Sequence, residues 1–170
     1  MTLLTLNKKQ KYILHKNVKG LHFGDLILEL FERLYLNEKV ELITEQFNTR
    51  SAMQIINDKY TTGCTDFAIV LCAFLKELGI SYRYVDALEK RWLDAPIEEH
   101  RVVGHAFVEV GGLLIDPQRK IIYHDPEFVL QRYVVFGKGT EPYELGLTDF
   151  ETNIQKYFDF KQKYQASKSA

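Results

Sequence analysis

The sequence predicts a single α+β domain, with helices in its first half and a mainly antiparallel sheet in its second. Up to about residue 79, apolar residues recur at the three- and four-residue spacing of helices. From Ile80 onward they alternate with polar residues in short segments that end at turn signals. Helices followed by a run of strands are typical of α+β folds. The 170 residues contain four prolines and ten dispersed glycines, so no linker interrupts the domain predicted over residues 1–164.

Three helices are predicted before the sheet. The first covers Asp25–Tyr35, with Asp25 placed as an N-cap, and the second covers Ser51–Asn57. The third is the clearest, because it begins near Cys64, carries apolar residues at helical spacing and ends where Gly79 takes the C′ position. The helical period stops at that glycine.

Five strands are predicted after the third helix. They cover Ile80–Ala87, Val102–Val110, Leu113–Ile115, Ile121–Tyr123 and Val129–Phe136. A tight turn at Gly111-Gly112 makes the second and third of them an antiparallel hairpin. The charged segment 88–101 contains Pro96 and is predicted as a solvated loop, with a mobile lid that borders the cleft as the alternative.

The end of the chain is predicted as a surface helix over Phe150–Tyr164. Residues 165–170 (QASKSA) are small and polar, so we expect a disordered tail there.

Composition excludes several classes of protein. Lys and Arg total 22 against 23 Asp and Glu, so no surplus positive charge favours nucleic acid or an anionic membrane, and neither partner is expected. The sequence has no signal-peptide pattern and no run of about 18 apolar residues, which predicts a cytoplasmic location. Two cysteines are too few for a disulfide framework or a four-thiolate zinc site. They leave the question of whether either is a nucleophile.

Cys64 is the candidate nucleophile. It lies in the predicted first turn of a helix, where free N–H groups stabilise a thiolate and can bind an oxyanion, and Gly63 before it allows close approach of a substrate. Asp66 acts against this, since its negative charge disfavours a nearby thiolate unless the carboxylate is paired. The alternative is that Cys64 is a buried structural residue. Cys72 lies two turns further on, about 12 Å away, and is interpreted as core.

His105 and Asp116 are the candidate partners of this thiol. His105 lies in the middle of a predicted strand among apolar neighbours, where its ring needs a hydrogen-bond partner. Asp116 ends the strand that the glycine turn places beside it, so its carboxylate can orient the imidazole. Glu109 shares the strand face of His105 but lies about 7 Å along it. The alternatives are a structural histidine bonded to backbone and an Asp-Pro turn.

The stretch from Ser51 to Pro117 resembles the transglutaminase-like superfamily. The resemblance is carried by GCTDFA at 63–68, GISYR at 79–83, HAFVEV at 105–110 and LIDP at 114–117. It covers about two-fifths of the chain, with cysteine, histidine and aspartate in the order of that family. Ser81 stands where the family usually has proline, Phe107 stands for tryptophan, and only 11 residues separate His105 from Asp116.

The resemblance implies a papain-like fold in which the nucleophile helix packs on the antiparallel sheet. It also implies a catalytic triad of Cys64, His105 and Asp116. The superfamily includes transglutaminases, peptidases, amidases and non-catalytic members. No carboxylate cluster has calcium-loop spacing, so no metal or other cofactor is expected. The side chain that would assist the oxyanion is not identified, and Gln54, Asn57 and Tyr60 are the candidates.

Two functions follow from these features. The first is a cysteine-dependent acyl transfer on the amide of a peptide or protein substrate, with hydrolysis favoured over cross-linking because the chain has no accessory domain. The second is a non-catalytic peptide- or ligand-binding module on the same fold, with a vestigial triad. Its groove would be lined by aromatic residues, namely Tyr82, Tyr84, Trp92 and Phe107. A metal site among the five histidines (His15, His22, His100, His105 and His124) is disfavoured by their spacing.

Overall fold

The structure is a computed structural model that describes residues 2–18, 34–36, 40–98 and 101–169. The helices are α1 (Lys8–Val18), α2 (Val40–Gln46), α3 (Ala52–Asp58), α4 (Cys64–Glu77), α5 (Lys90–Asp94), α6 (Pro126–Leu130) and α7 (Phe150–Ser169). The strands are β1 (Tyr35–Leu36), β2 (Tyr60–Thr61), β3 (Arg83–Glu89), β4 (Gly104–Val110), β5 (Leu113–Asp116), β6 (Ile121–Tyr123) and β7 (Tyr133–Gly139). The helix predicted over Asp25–Tyr35 lies outside the described residues except for its last two positions, of which Tyr35 belongs to β1.

A five-stranded antiparallel sheet forms the centre of the molecule, in the order β6-β5-β4-β3-β7. Gly111 and Gly112 both have positive φ, at 56° and 84°, which is the backbone of the tight hairpin turn predicted between β4 and β5. The turn pairs Val108 with Ile115 and so places the end of β5 beside the middle of β4. The predicted α+β class is confirmed.

Helix α4 is packed into the main core. Eleven of its residues are buried, and its apolar side chains pack against Ala106, Val108 and Ile115 of the sheet. Its end matches the prediction, because Gly79 has φ of 68° and donates its N–H to Lys76, while Ile80 donates to Leu75. Helix α3 before it begins with a capping box, in which Ser51 and Gln54 bond each other's backbone N–H groups.

The segment predicted as a loop over 88–101 is largely ordered, so that prediction is wrong. Strand β3 begins only at Arg83 but continues to Glu89, and helix α5 follows directly. Trp92 and Leu93 of this helix are buried, and the Glu89 carboxylate is paired with Arg132. Arg91, Asp94 and Glu98 are exposed, whereas Glu89 is buried with its carboxylate paired.

The segment predicted as a strand over Val129–Phe136 is split between two elements. Asp125 caps α6 by accepting a hydrogen bond from the N–H of Glu127, and Pro126 occupies the first turn, so Val129 lies in a helix. Strand β7 starts at Tyr133 and runs three residues past the predicted end.

The predicted disordered tail is helical through Ser169. Helix α7 continues beyond Tyr164 because Gln165 Nε2 donates to the carbonyl oxygens of Leu93 and Ala95, each at 2.8 Å. Lys168 Nζ also pairs with Asp94 Oδ1 at 2.6 Å. These contacts hold the last helix against α5.

Candidate active site

The two cysteines occupy different environments on α4. Cys64 is the first residue of the helix and is partly exposed, whereas Cys72 is fully buried. No atom beyond the chain neighbours lies within 4 Å of where a side chain on Gly63 would begin, so the approach beside Cys64 is open. Burial, together with the charge of Glu141, raises the pKa of the Cys72 thiol well above its usual value. Cys72 is therefore a core residue, as predicted.

His105 pairs with Asp116, and Cys64 lines the same cleft as His105. Its Nε2 atom lies 2.7 Å from Asp116 Oδ2 in a buried contact, which leaves Nδ1 as the ring nitrogen for the thiol. The ring packs edge-on against Phe107, with centroids 4.7 Å apart. The structure thus brings together the three side chains that the sequence singled out.

These contacts change the protonation of His105. Burial by itself disfavours the charged imidazolium, but the hydrogen bonds to Asp116 and Cys64 and the charges of those two groups outweigh it and raise the pKa of His105 to about 9. His105 therefore carries a proton at neutral pH, and an imidazolium stabilises a thiolate beside it.

Asp116 is fixed from several sides. It ends β5 and is fully buried; its Oδ1 accepts the backbone N–H of Arg119 at 2.9 Å, and the Arg119 guanidinium lies 3.5 Å from Oδ2. The sequence analysis did not single out Arg119. The sequence feature that could have identified it is a basic residue three positions after Asp116, close enough to fold back onto the carboxylate.

Asp66 does not oppose a thiolate at Cys64, because its charge is compensated. Its Oδ2 pairs with the buried guanidinium of Arg50 at 2.5 Å and accepts hydrogen bonds from the N–H and hydroxyl of Thr62. Burial raises the pKa of Asp66, while Arg50 and Thr62 act in the opposite direction. Arg50, which the sequence analysis missed, therefore neutralises the first turn of α4.

The other candidate residues lie elsewhere. Glu109 pairs with Lys138. Gln54 caps α3, Asn57 accepts a hydrogen bond from Gln10, and Tyr60 donates to Gln46 at 2.9 Å. None of these four residues lines the cleft beside Cys64.

A cleft of about 160 Å³ lies beside Cys64 and His105. Its opposite wall is one face of α7, with Phe150, Asn153 and Tyr157 at helical spacing, and Phe47 contributes a further ring. The aromatic lining thus comes from residues other than those predicted. Three of the predicted four, Tyr84, Trp92 and Phe107, are buried in the core, and all four are absent from this cleft.

Asp86 is a second buried carboxylate at this cleft. Its Oδ2 accepts the hydroxyl of Tyr84 at 2.9 Å and that of Tyr157 at 3.1 Å. Burial raises the pKa of Asp86 to about 7, even though these two hydrogen bonds and the charge of His105 lower it. Nothing in the local sequence around Asp86 indicated that it reaches the site.

A larger cavity of about 530 Å³ lies between α1, α3 and α4. Asparagine, lysine and apolar side chains line it, and it contains none of the candidate catalytic residues. Within the described ranges, no group of three His, Cys, Asp or Glu side chains is arranged to hold a metal ion. No helix in the same ranges has the length and apolar character needed to span a membrane.

Comparison with known proteins supports the fold. No family model and no curated protein matches the chain. One solved structure that matches is that of a "Putative Cysteine Protease" from Cytophaga hutchinsonii, with a TM-score of 0.55 and 16% sequence identity. The match covers 85% of this chain and 48% of the other, so this chain spans about half the length of that protein. The shared α+β fold is thus papain-like.

Proposed function

We propose that this chain is a cysteine-dependent acyl-transfer enzyme that acts on amide bonds of peptides or proteins through Cys64, His105 and Asp116. The observation that carries the proposal is the position of His105, which pairs with Asp116 through Nε2 and lines the same cleft as Cys64, whose thiol helps to raise the pKa of His105. A nucleophile, a base and a group that orients the base are the parts required for nucleophilic catalysis.

The proposed reaction has two stages. The Cys64 sulfur attacks the amide carbonyl as a thiolate, and the backbone N–H groups at the start of α4 stabilise the oxyanion. His105 then gives its proton to the leaving amine, the C–N bond breaks, and a thioester on Cys64 remains. In the second stage His105 takes a proton from water, the resulting hydroxide attacks the thioester, and the C–S bond breaks, which releases the carboxylic acid and restores the Cys64 thiolate and the His105 imidazolium.

Hydrolysis is the proposed outcome, with transamidation as the variant in which an amine replaces water. The matched structure supports a cysteine-protease-like scaffold. The transglutaminase-like resemblance of residues 51–117 supports the same order of catalytic residues but allows either acceptor. The narrow cleft beside Cys64 favours the small acceptor, water.

Selective alkylation tests the proposal. The protein is treated with limiting iodoacetamide at pH 7, and modification of Cys64 and Cys72 is followed by peptide mass spectrometry. We expect Cys64 to react at least about a hundredfold faster, because thiolate rather than thiol is the nucleophile. The His105→Asn variant is expected to lose most of this advantage. Equal slow rates at the two cysteines in the wild type would overturn the proposal.

A further inference from the structure

Asn153 is a buried polar side chain without a partner on the wall of the cleft. It is only 1% exposed, and neither its Nδ2 nor its Oδ1 atom has a hydrogen-bond partner. Buried polar groups in folded proteins are almost always hydrogen-bonded, so an amide that lacks both kinds of bond needs an explanation. Its place in the cleft that contains Cys64 and His105 suggests a bound substrate as the missing partner.

The chemistry of the amide defines what it would bind. Nδ2 donates hydrogen bonds and Oδ1 accepts them, so the complementary group must present an acceptor and a donor side by side. In an extended peptide the N–H and the carbonyl oxygen of one residue point to the same side and offer this pair, whereas the carbonyl and N–H of a single trans peptide unit point in opposite directions. An ester lacks the donor, and a carboxylate lacks it as well.

The carboxylate of Asp86 limits the charge that a substrate can carry in the cleft. Both tyrosine hydroxyls bond its Oδ2, and the carboxylate lines the same cleft as Asn153. When ionised, this carboxylate repels a negative group in a cleft of about 160 Å³. It therefore disfavours a substrate whose free carboxylate lies beside the scissile bond.

We propose that Asn153 determines substrate specificity by hydrogen-bonding the backbone N–H and carbonyl oxygen of one substrate residue adjacent to the acyl group that Cys64 attacks. The substrate class is then an amide within a polypeptide, not one next to a free carboxylate. This inference rests on the proposed function, because it places the bound group beside the reacting carbonyl. It adds a binding role for α7, which lies outside the segment that resembles a known family.

A purely structural role for Asn153 is the competing explanation. Asn48, on the segment that follows α2, also has an unpartnered buried oxygen, although its Nδ2 donates to the Leu147 carbonyl at 3.1 Å. Asn48 does not line the cleft, so Asn48→Leu is the matched control for Asn153→Leu. A structural role predicts that both substitutions change only stability.

The test uses three alkylating probes of different chemistry. Second-order rates at Cys64 are measured with iodoacetamide, iodoacetate and iodoethane, each divided by the rate of the same reagent with free cysteine. We expect the wild type to prefer iodoacetamide, and Asn153→Leu to lower the iodoacetamide-to-iodoethane ratio about tenfold, the effect of losing one or two hydrogen bonds. Asp86→Asn is expected to raise the relative rate with iodoacetate. Asn48→Leu is expected to leave all three ratios unchanged.

A binding measurement separates this inference from the proposed function. In Cys64→Ala protein, the side-chain amide resonances of Asn153 are followed by NMR as N-methylacetamide or methyl acetate is added. A shift with the amide and none with the ester supports the inference whether or not Cys64 is reactive. Unchanged alkylation ratios in Asn153→Leu, or no shift with N-methylacetamide, overturn it. Slow alkylation of wild-type Cys64 by every probe overturns the proposed function instead.

Discussion

The first turn of α4 and its middle show how one helix holds two thiols with different chemistry. At the first turn, Cys64 is partly exposed, adjoins open space at Gly63 and lines the same cleft as His105. Two turns further on, Cys72 is sealed in the apolar core, where burial raises its pKa. Both residues are cysteines, so the different environments of the two thiols are due to the position of Cys64 at the helix terminus and to His105 on β4. The predictions below test this comparison from the largest effect on activity to the smallest.

Loss of the sulfur at the first turn gives the largest expected effect. Cys64→Ala should lower hydrolysis of a fluorogenic peptide pool by a factor on the order of 10⁵, or to background, because it removes the nucleophile. Cys72→Ala serves as the matched control and should retain activity close to that of the wild type. Activity that survives in Cys64→Ala would show that the chemistry does not depend on this thiol.

Loss of the imidazole gives the next effect. His105→Asn should lower kcat/KM for peptide hydrolysis by roughly 10²–10⁴, the usual contribution of a general acid–base group. In the wild type, hydrolysis should fall as pH rises through about 9, since His105 there loses the proton that the leaving amine needs. Alkylation of Cys64 should not fall over the same range. Parallel decline of both rates above pH 9 would contradict the assignment.

Removal of the negative charge behind the imidazole gives a smaller effect. Asp116→Asn should lower the pKa of His105, because the hydrogen bond and charge of Asp116 both raise it. The high-pH decline of hydrolysis should therefore move to lower pH, with about a tenfold loss of rate at pH 10 from one lost unit of pKa. Glu109→Gln is the control, since Glu109 pairs with Lys138, and it should leave the profile in place. An identical shift in both variants would count against a specific role for Asp116.

Arg50 connects stability with the first turn. Arg50→Met should lower the free energy of unfolding by about 3–5 kcal/mol in denaturant titrations, because it leaves Asp66 buried without its cation. It should also slow Cys64 alkylation several-fold, since an uncompensated negative charge then lies two residues from the thiol. Adding Asp66→Asn should restore the alkylation rate. No recovery in the double variant would mean that Arg50 acts through packing alone.

The middle of α4 gives the smallest effect on activity. Cys72→Ser should cost about 1–3 kcal/mol of stability, because it buries a hydroxyl among apolar side chains. Its rate of Cys64 alkylation should match that of the wild type. Thermal unfolding and labelling on the same sample check both expectations. A changed rate of Cys64 alkylation in Cys72→Ser would show that the middle of α4 influences the thiol at its first turn.

Local patterns were enough to predict much of the fold. The helical spacing of apolar residues up to Gly79 predicted α4. The pair Gly111-Gly112 predicted the hairpin that places Asp116 near His105, and both glycines have positive φ in the structure. The same patterns failed where tertiary contacts decide the structure. Helix α5 is held by the burial of Trp92, and the end of α7 is held by hydrogen bonds from Gln165 to α5 and the residue after it.

The candidate site divides in the same way. Cys64, His105 and Asp116 stood out because each has a residue type and a position that suit a known chemical role, although that role stays a prediction. Arg50, Asp86 and Asn153 did not, because no motif or spacing in the sequence connects them with the site, which they reach only through tertiary packing. Asn153, for instance, reaches the cleft only through the packing of α7 some 90 residues after Cys64. No local pattern marks such residues.

Trapping of an acyl-enzyme tests the central claim most directly. The protein is mixed with a peptide pool, quenched in acid within seconds, digested and examined by mass spectrometry. The account predicts an acyl adduct on Cys64 that hydroxylamine removes, that is absent in His105→Asn, and that never forms on Cys72. The absence of any adduct on wild-type Cys64 under conditions in which the peptides are cleaved, or equal adducts on the two cysteines, would contradict it.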